Sequence, residues 1–290
     1  MLTPVWNEEE HLPTMLDSIE NQSYRNWELL LVDDGSTDRT AEIIEQAAGG
    51  DARVRLVSTG ARLGKVAAFN AAFRASAGEI ICHVGGDDVM PRDALLHRVD
   101  ALANVVETKA VGYFKLRMFA DQPGLGTIVP RGDHGSRSGP STTLTRPLAE
   151  AVFPVPTDLP SEDLWIGEAA LGLATHVVHS PQVVLDYRVH AGNSNPRHKS
   201  FELMSESIHR RMAFAPALLS ESRFTLNAEV RMDLARQCGA EALRYAGATM
   251  RLLRYDLPLI DRLALASMSD RRLWWLRQRG AGAFSGWRGR

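Results

Sequence analysis

Three pairs of adjacent carboxylates stand where they could do chemistry: Asp33-Asp34, Asp87-Asp88 and Glu162-Asp163. The first pair ends an apolar run, Trp27 to Val32, and could hold a base, a ribose or a metal. It could equally be structural, since Asp, Ser and Thr across Asp33-Asp34-Gly35-Ser36-Thr37-Asp38 satisfy free N–H groups at a turn and helix start. The second pair lies in Gly85-Gly86-Asp87-Asp88. Paired carboxylates there suit a hard divalent cation shared with phosphate oxygens, and the glycines let a ligand approach the backbone. Two like charges at one turn repel unless something neutralises them; the plainer reading is a turn ahead of Pro91. The third pair sits among Leu159, Leu164, Trp165 and Ile166, where a carboxylate could act as a general base. Here too a bland alternative exists, because Ser161 can cap a helix whose first turn favours acids.

Single residues add less. Lys65, at a helix start after Leu63-Gly64, could meet a diphosphate together with the helix N-terminus, or be a solvated surface lysine. His190 lies in the polar loop Arg188 to Asn193, and a lone histidine is more often structural than a ligand. His83 reads as a core or rim residue within a strand, and Cys82 as core. Neither G-x-G-x-x-G nor a P-loop occurs, so NAD and P-loop ATPase readings lack their main support.

The elements that must position these groups alternate. Met1 to Val5, Trp27 to Val32, Val54 to Val57 and Ile80 to Val84 read as strands. Helices are expected from about Glu8 to Asn21 with Asn7 as cap, from the Asp33–Asp38 turn to about Ala48, and from Leu63 to Ala77. Strands spaced this way imply parallel βαβ units, which bind ligands beyond the carboxyl ends of their strands. Both aspartate pairs would then converge on one rim. Asp121 to Pro147 is rich in Gly, Pro, Ser and Thr and reads as a structureless lid. A helix is expected from Ser161 to about Ala174, an extended segment from Val177 to Tyr187, and helices from Phe201 to about Arg279.

Composition bounds the rest. With 44% hydrophobic and 23% charged residues in 290, the chain is ordinary globular protein with a sizeable core. A net charge of −2 argues against bulk electrostatic binding to nucleic acid. Two cysteines, Cys82 and Cys238, make no disulfide framework, so a reducing compartment is the default. No run of eighteen apolar residues occurs and no signal peptide is visible at Met1-Leu2-Thr3-Pro4. Residues 1–199 carry 18 basic and 26 acidic side chains, and residues 200–290 carry 15 and 9, so the net charge changes from −8 to +6. That places a domain boundary near Ser200.

Taken in order, these residues resemble family 2 glycosyltransferases. The matches are Thr3-Pro4-Val5-Trp6-Asn7-Glu8-Glu9, Asp33 to Asp38, Leu63-Gly64-Lys65 through Asn70, and Gly78-Glu79-Ile80 leading into Gly85-Gly86-Asp87-Asp88. Glu162-Asp163-Leu164-Trp165 and Tyr187 to Asn193 complete them, covering about residues 1–195. The resemblance implies a GT-A fold, a Rossmann-like mixed sheet flanked by helices, with a helical C-terminal extension over 200–290. It implies an inverting transferase that uses a nucleoside-diphosphate-sugar donor and Mn²⁺ or Mg²⁺ in cell-surface polysaccharide or glycolipid assembly.

It also implies roles. Pro4, Trp6 and Glu8 would line the nucleotide site, and Asp34 with Asp33 would contact the base. Asp87 and Asp88 would occupy the metal-and-diphosphate motif, and His190 would reach the metal or diphosphate. Asp163 would be the catalytic base, with Glu162 its neighbour. One departure matters: the family motif usually reads Asp-x-Asp-Asp, and Gly85 stands at the first Asp.

The acceptor would be a saccharide or a lipid-linked saccharide. Arg271, Arg272, Arg277, Arg279, Arg288 and Arg290 lie near Trp274, Trp275 and Trp287. Residues 257–290 could therefore be an interfacial anchor on an otherwise cytoplasmic protein, at the inner face of the membrane. They could equally pack on the catalytic domain or on a second subunit as a homodimer. Two rivals to transfer remain: a sugar-nucleotide nucleotidylyltransferase of related fold, and a degenerate protein that binds nucleotide-sugar without reaction. The first usually carries a Gly-rich basic N-terminal loop, which Pro4-Val5-Trp6-Asn7-Glu8 does not resemble; retention of Asp87, Asp88 and Asp163 argues against the second.

Overall fold

The computed structural model describes residues 1–58, 61–120, 122–189 and 200–280. The chain divides into two compact units, Met1–Asn193 and Ser194–Arg290, so the boundary falls a few residues before the charge break at Ser200.

The first unit begins with strands β1 (Leu2–Val5), β2 (Leu29–Asp33) and β3 (Val54–Ser58), paired in parallel in the order β1-β2-β3. All five β2 residues are buried, as an apolar strand covered on both faces must be. Helices α1 (Leu12–Glu20), α2 (Thr40–Gly50) and α3 (Lys65–Ala75) make the crossovers. Helix α1 buries Leu12, Met15, Leu16 and Ile19, a single face at helical spacing.

Strand β4 (Ile80–Cys82) extends to β1 through a parallel bridge between Leu2 and His83. Its other edge pairs antiparallel with β7 (Thr142–Thr145), which pairs with the first half of β5 (Ala110–Phe119). Strand β6 (Thr127–Val129) pairs with the second half of β5, and β8 (His176–Arg188) runs parallel to β5. Helices α4 (Ala94–Leu102), α5 (Arg146–Val152) and α6 (Asp163–Leu173) complete the unit. The result is a mixed α/β sheet flanked by helices, with parallel pairing among the first three strands, at the Leu2–His83 bridge and in the β5–β8 pair.

Two expectations need correction. The 121–147 segment is not a structureless lid, since it contributes β6, β7 and a turn of 3₁₀ helix at Gly139–Ser141. Nor does Asn7 cap the first helix. Asn7 adopts a left-handed backbone, φ 54°, and its Oδ1 accepts the N–H of Thr37 at 2.8 Å. Helix α1 starts instead at Leu12, where Pro13 in its first turn supplies a helical φ and has no N–H to lose.

The second unit is helical: α7 (Phe201–Arg211), α8 (Phe214–Ser220), α9 (Ala228–Tyr245), α10 (Thr249–Leu252), α11 (Leu259–Ala266) and α12 (Arg271–Gly280). Ser200 and Asn227 accept the N–H groups of Leu203 and Val230, capping α7 and α9. Its centre is the fully buried Arg244, which donates to both oxygens of Glu241, to Ser205 Oγ and O, and to the carbonyl of Met268. A buried guanidinium is tolerated because its charge and its donors are both met.

Candidate active site

The carboxyl ends of β1 and β2 gather Pro4, Trp6, Glu8, Asp33 and Asp34 at one rim. Asp33 Oδ1 accepts from Ser36 N and Oγ, at 3.0 and 2.5 Å, closing the turn into α2. Asp34 Oδ1 accepts the N–H groups of Leu63 and Gly64, at 2.6 and 2.8 Å. Both aspartates are buried, and one oxygen of each is committed to backbone. Asp34 thereby fixes the loop that launches α3 and Lys65. Trp6 is 45% exposed, and the Arg62 guanidinium lies 4.3 Å from its ring centroid. An exposed aromatic under a cation is a surface on which a base could stack.

The glycine-aspartate motif follows β4 next to this rim. A side chain on Gly86 would collide with Val5 and Glu8, its Cβ falling 2.8 Å from Val5 Cγ1 and 3.0 Å from Glu8 Cγ. A Cβ on Gly85 would stand 2.7 Å from Asp87 Oδ1 and 2.7 Å from Asp88 Oδ2. Two carboxylate oxygens from different residues thus converge on one point, which only glycine leaves free. Asp88 is 1% exposed, and its Oδ1 accepts the N–H of Arg188 at 3.0 Å. Arg188 Nε in turn donates to the carbonyl of Asp87 at 2.8 Å. A backbone bridge between Val89 and Asp186 ties the same loop to β8. Burial first, and then the charge of Asp87, raise the Asp88 carboxyl well above its ordinary range.

That geometry bears on a metal. Converging hard oxygens are the donor set a divalent cation takes, and Mg²⁺-type sites usually use one or two carboxylates plus phosphate oxygens. Asp87 and Asp88 fit that role. Among the described residues no group of three or more His, Cys, Asp or Glu is arranged to hold a metal, so these two would be a partial set. His190, expected to reach this point, lies outside the described residues.

The third acidic pair opens α6. Ser161 Oγ donates to Asp163 Oδ1 at 2.7 Å. Glu162 is 3% exposed; its Oε1 pairs with Lys65 Nζ at 3.1 Å, while its Oε2 is buried without a hydrogen-bond partner. Burial raises the Glu162 carboxyl, and the nearby Lys65 charge opposes that rise. Lys65 is thus held in an ion pair within the chain. Asn70, on α3, donates from Nδ2 to Val155 O and accepts from Val155 N, at 2.8 and 2.9 Å. That clamp fixes the segment leading to Ser161.

Beside the pair lies His83. It is 4% exposed and tilted against the Phe69 ring at 4.6 Å between centroids. Burial, with the charges of Lys65 and Arg98, lowers its imidazole to about 3, so it is neutral in ordinary conditions. Sequence reasoning placed His83 only as core or rim, and did not single out Arg62 or Asn70 for a role. Arg62 directly precedes Leu63-Gly64-Lys65 and Asn70 ends the matched stretch that begins there, which could have drawn attention to both; nothing local marks His83.

Residues 1–110 match the family model described as glycosyl transferase family 2. Over that stretch the chain is similar to family 2 glycosyltransferases. An uncharacterised glycosyltransferase of Haemophilus influenzae is 40% identical over 95 residues, covering 33% of this chain and 38% of the relative. The amylovoran biosynthesis glycosyltransferase AmsB of Erwinia amylovora is 26% identical over 143 residues, 47% of this chain and 48% of the relative. The chain therefore matches less than half the length of either. The mannosyltransferase PcManGT of Pyrobaculum calidifontis, solved with GDP-Man and Mn²⁺, aligns with a TM-score of 0.63 at 19% identity over 97% of this chain and 78% of its own. The fold of the chain is GT-A.

Proposed function

We propose that the protein transfers a sugar, with inversion, from a nucleoside-diphosphate-sugar to an acceptor hydroxyl in polysaccharide or glycolipid assembly. The observation that carries this reading is the convergence of Asp87 Oδ1 and Asp88 Oδ2 on the space beside Gly85. A cation taken up there would lie at the end of β4, on the same rim as Trp6, Asp33 and Asp34. A divalent cation held by Asp87 and Asp88 would supply positive charge against the leaving diphosphate.

The chain's own residues do the rest. Trp6 and Arg62 offer the base a stacking surface, and the N-terminus of α3 with Lys65 faces the phosphates. Asp163 removes the proton from the acceptor hydroxyl; Ser161 Oγ, bonded to its Oδ1, orients it. With Glu162 held by Lys65, Asp163 serves as the single base and the acceptor oxygen attacks directly, which gives inversion. The amylovoran biosynthesis role of AmsB and the GDP-Man and Mn²⁺ bound to PcManGT support the substrate class. The acceptor is a saccharide or lipid-linked saccharide. Exposed Leu259, Ile260, Leu263, Trp275 and Leu276, in a segment rich in arginine, fit contact with an anionic membrane surface.

Thermal unfolding of the purified chain against UDP, GDP, dTDP and CMP, each with and without Mn²⁺, tests the donor reading. Binding raises apparent stability with ligand concentration over Kd. A metal-dependent shift for one nucleotide is expected; no shift for any of them would count against the proposal.

A further inference from the structure

Trp6 stands between two backbone anchors, and both belong to the turn that follows β2. On its N-terminal side, Val5 O accepts the N–H of Asp34 at 2.9 Å. On its C-terminal side, Asn7 N donates to Ser36 Oγ at 2.9 Å, and Ser36 Oγ donates in turn to the buried Asp33 at 2.5 Å. Asn7 returns the contact, its Oδ1 accepting the N–H of Thr37 at 2.8 Å. The next two residues continue the seam: Glu8 N donates to Thr40 Oγ1 at 2.8 Å and Glu9 N to Asp38 Oδ2 at 3.2 Å.

The seam depends on one unusual backbone. Asn7 holds φ 54°, a left-handed conformation that most side chains avoid and that Asn, Asp and Gly tolerate best. In that conformation its N–H and its Oδ1 both meet Ser36-Thr37, although the residue itself is exposed. The Trp6 ring is also exposed, with the Arg62 guanidinium over it. The same turn abuts Arg62, since a Cβ on Gly35 would fall 3.1 Å from Arg62 N and 3.3 Å from Arg62 Cα. An exposed aromatic ring that must be ordered when a ligand arrives costs affinity, and a backbone fixed beforehand reduces that cost.

We infer that Asn7 is a positioning residue for the base site: it fixes the backbone beside Trp6 so that the ring is set for stacking before a nucleotide arrives. The inference rests on the donor reading above and on Trp6 as its stacking surface. Asn7 acts through Trp6 and makes no contact with the nucleotide itself.

Calorimetric titration with Mn²⁺ present tests this, using UDP, GDP and dTDP, each against inorganic pyrophosphate. The readout is the gain in affinity from pyrophosphate to nucleotide, which isolates the base and ribose. Trp6→Ala sets the scale: loss of one stacked base should cut the gain about tenfold. Asn7→Gly keeps the left-handed backbone and removes only the Oδ1 acceptor. It should cut the gain severalfold and leave pyrophosphate affinity unchanged. Asn7→Asp, which keeps an acceptor oxygen and tolerates the same backbone, should retain most of the gain. Trp6→Ala combined with Asn7→Gly should lose no more than Trp6→Ala alone, because the effects of a residue and of the one it acts through do not add.

An unchanged gain in Asn7→Gly would overturn the inference, as would additive losses in the double variant or equal loss of pyrophosphate and nucleotide affinity. So would a wild-type chain that binds nucleotide no more tightly than pyrophosphate. A wild-type chain that binds neither pyrophosphate nor any of the nucleotides would instead overturn the donor reading, and this inference with it. Unfolding curves without ligand separate a lost position from a lost fold.

Discussion

The carboxylate of Asp88 holds the backbone N–H of Arg188, a hundred residues further along the chain, at 3.0 Å. The same carboxylate directs its other oxygen to the point it shares with Asp87. One side chain thus has two tasks, and substitutions separate them. Asp88→Asn retains an oxygen for Arg188 but not the charge. It should unfold at the wild-type denaturant concentration or above, and lose the Mn²⁺-dependent nucleotide shift. Asp88→Ala should lose that shift and about 1 kcal/mol of stability as well, read from urea unfolding.

The same carboxyl makes metal-free stability depend on pH. Its proton is held more tightly in the folded chain than in the unfolded one. Its contribution is complete below the ordinary carboxylate range and is lost as pH rises towards the folded value. Mn²⁺ should therefore raise the unfolding temperature more at pH 7.5 than at pH 5, and Asp88→Asn should abolish that difference.

His83 acts with the opposite sign. Its folded value of about 3 lies below the ordinary imidazole value of 6.5. Its contribution is present above that ordinary value and falls as pH drops towards 3, by about tenfold in the unfolding equilibrium per pH unit. Lys65, Arg98, the N-terminal amine and Asp163 are the charges that act on it. His83→Phe should lose less stability than wild type between pH 6 and pH 4, measured by denaturant unfolding at each pH.

Asp163→Asn should bind the donor nucleotide as wild type does and transfer sugar roughly 100-fold more slowly, or worse. Ser161→Ala removes only the hydroxyl that orients the base. A smaller loss, in kcat and not in donor affinity, is expected from single-turnover assays with the donor found by thermal shift.

If residues 257–280 meet a lipid surface, the full chain should co-float with vesicles containing phosphatidylglycerol and not with phosphatidylcholine vesicles. Trp275→Ser with Leu276→Ser should reduce that recovery. Equal recovery with both lipids would remove the case for an anionic surface.

The order of strands and helices in the first hundred residues is legible because each strand is an apolar run and each crossover begins with a polar turn. The 121–147 segment is not. Strands β6 and β7 are three and four residues long, and their pairing with β5 and β4 is non-local. Asn7 misleads for a related reason: its partner, Thr37, belongs to a different turn. At the site, the acidic pairs announce themselves because their members are consecutive. The clamp between Asn70 and Val155 spans 85 residues, and the link from Asn7 to Ser36 spans 29. No local pattern encodes either.

Gly85 also constrains how this chain can change. The family's usual first acid would be restored by Gly85→Asp. In this loop that mutation would push a Cβ to 2.7 Å from two carboxylate oxygens and add a third negative charge between them. An acid there would have to displace both carboxylates, and Asp88 would move away from the Arg188 N–H it accepts.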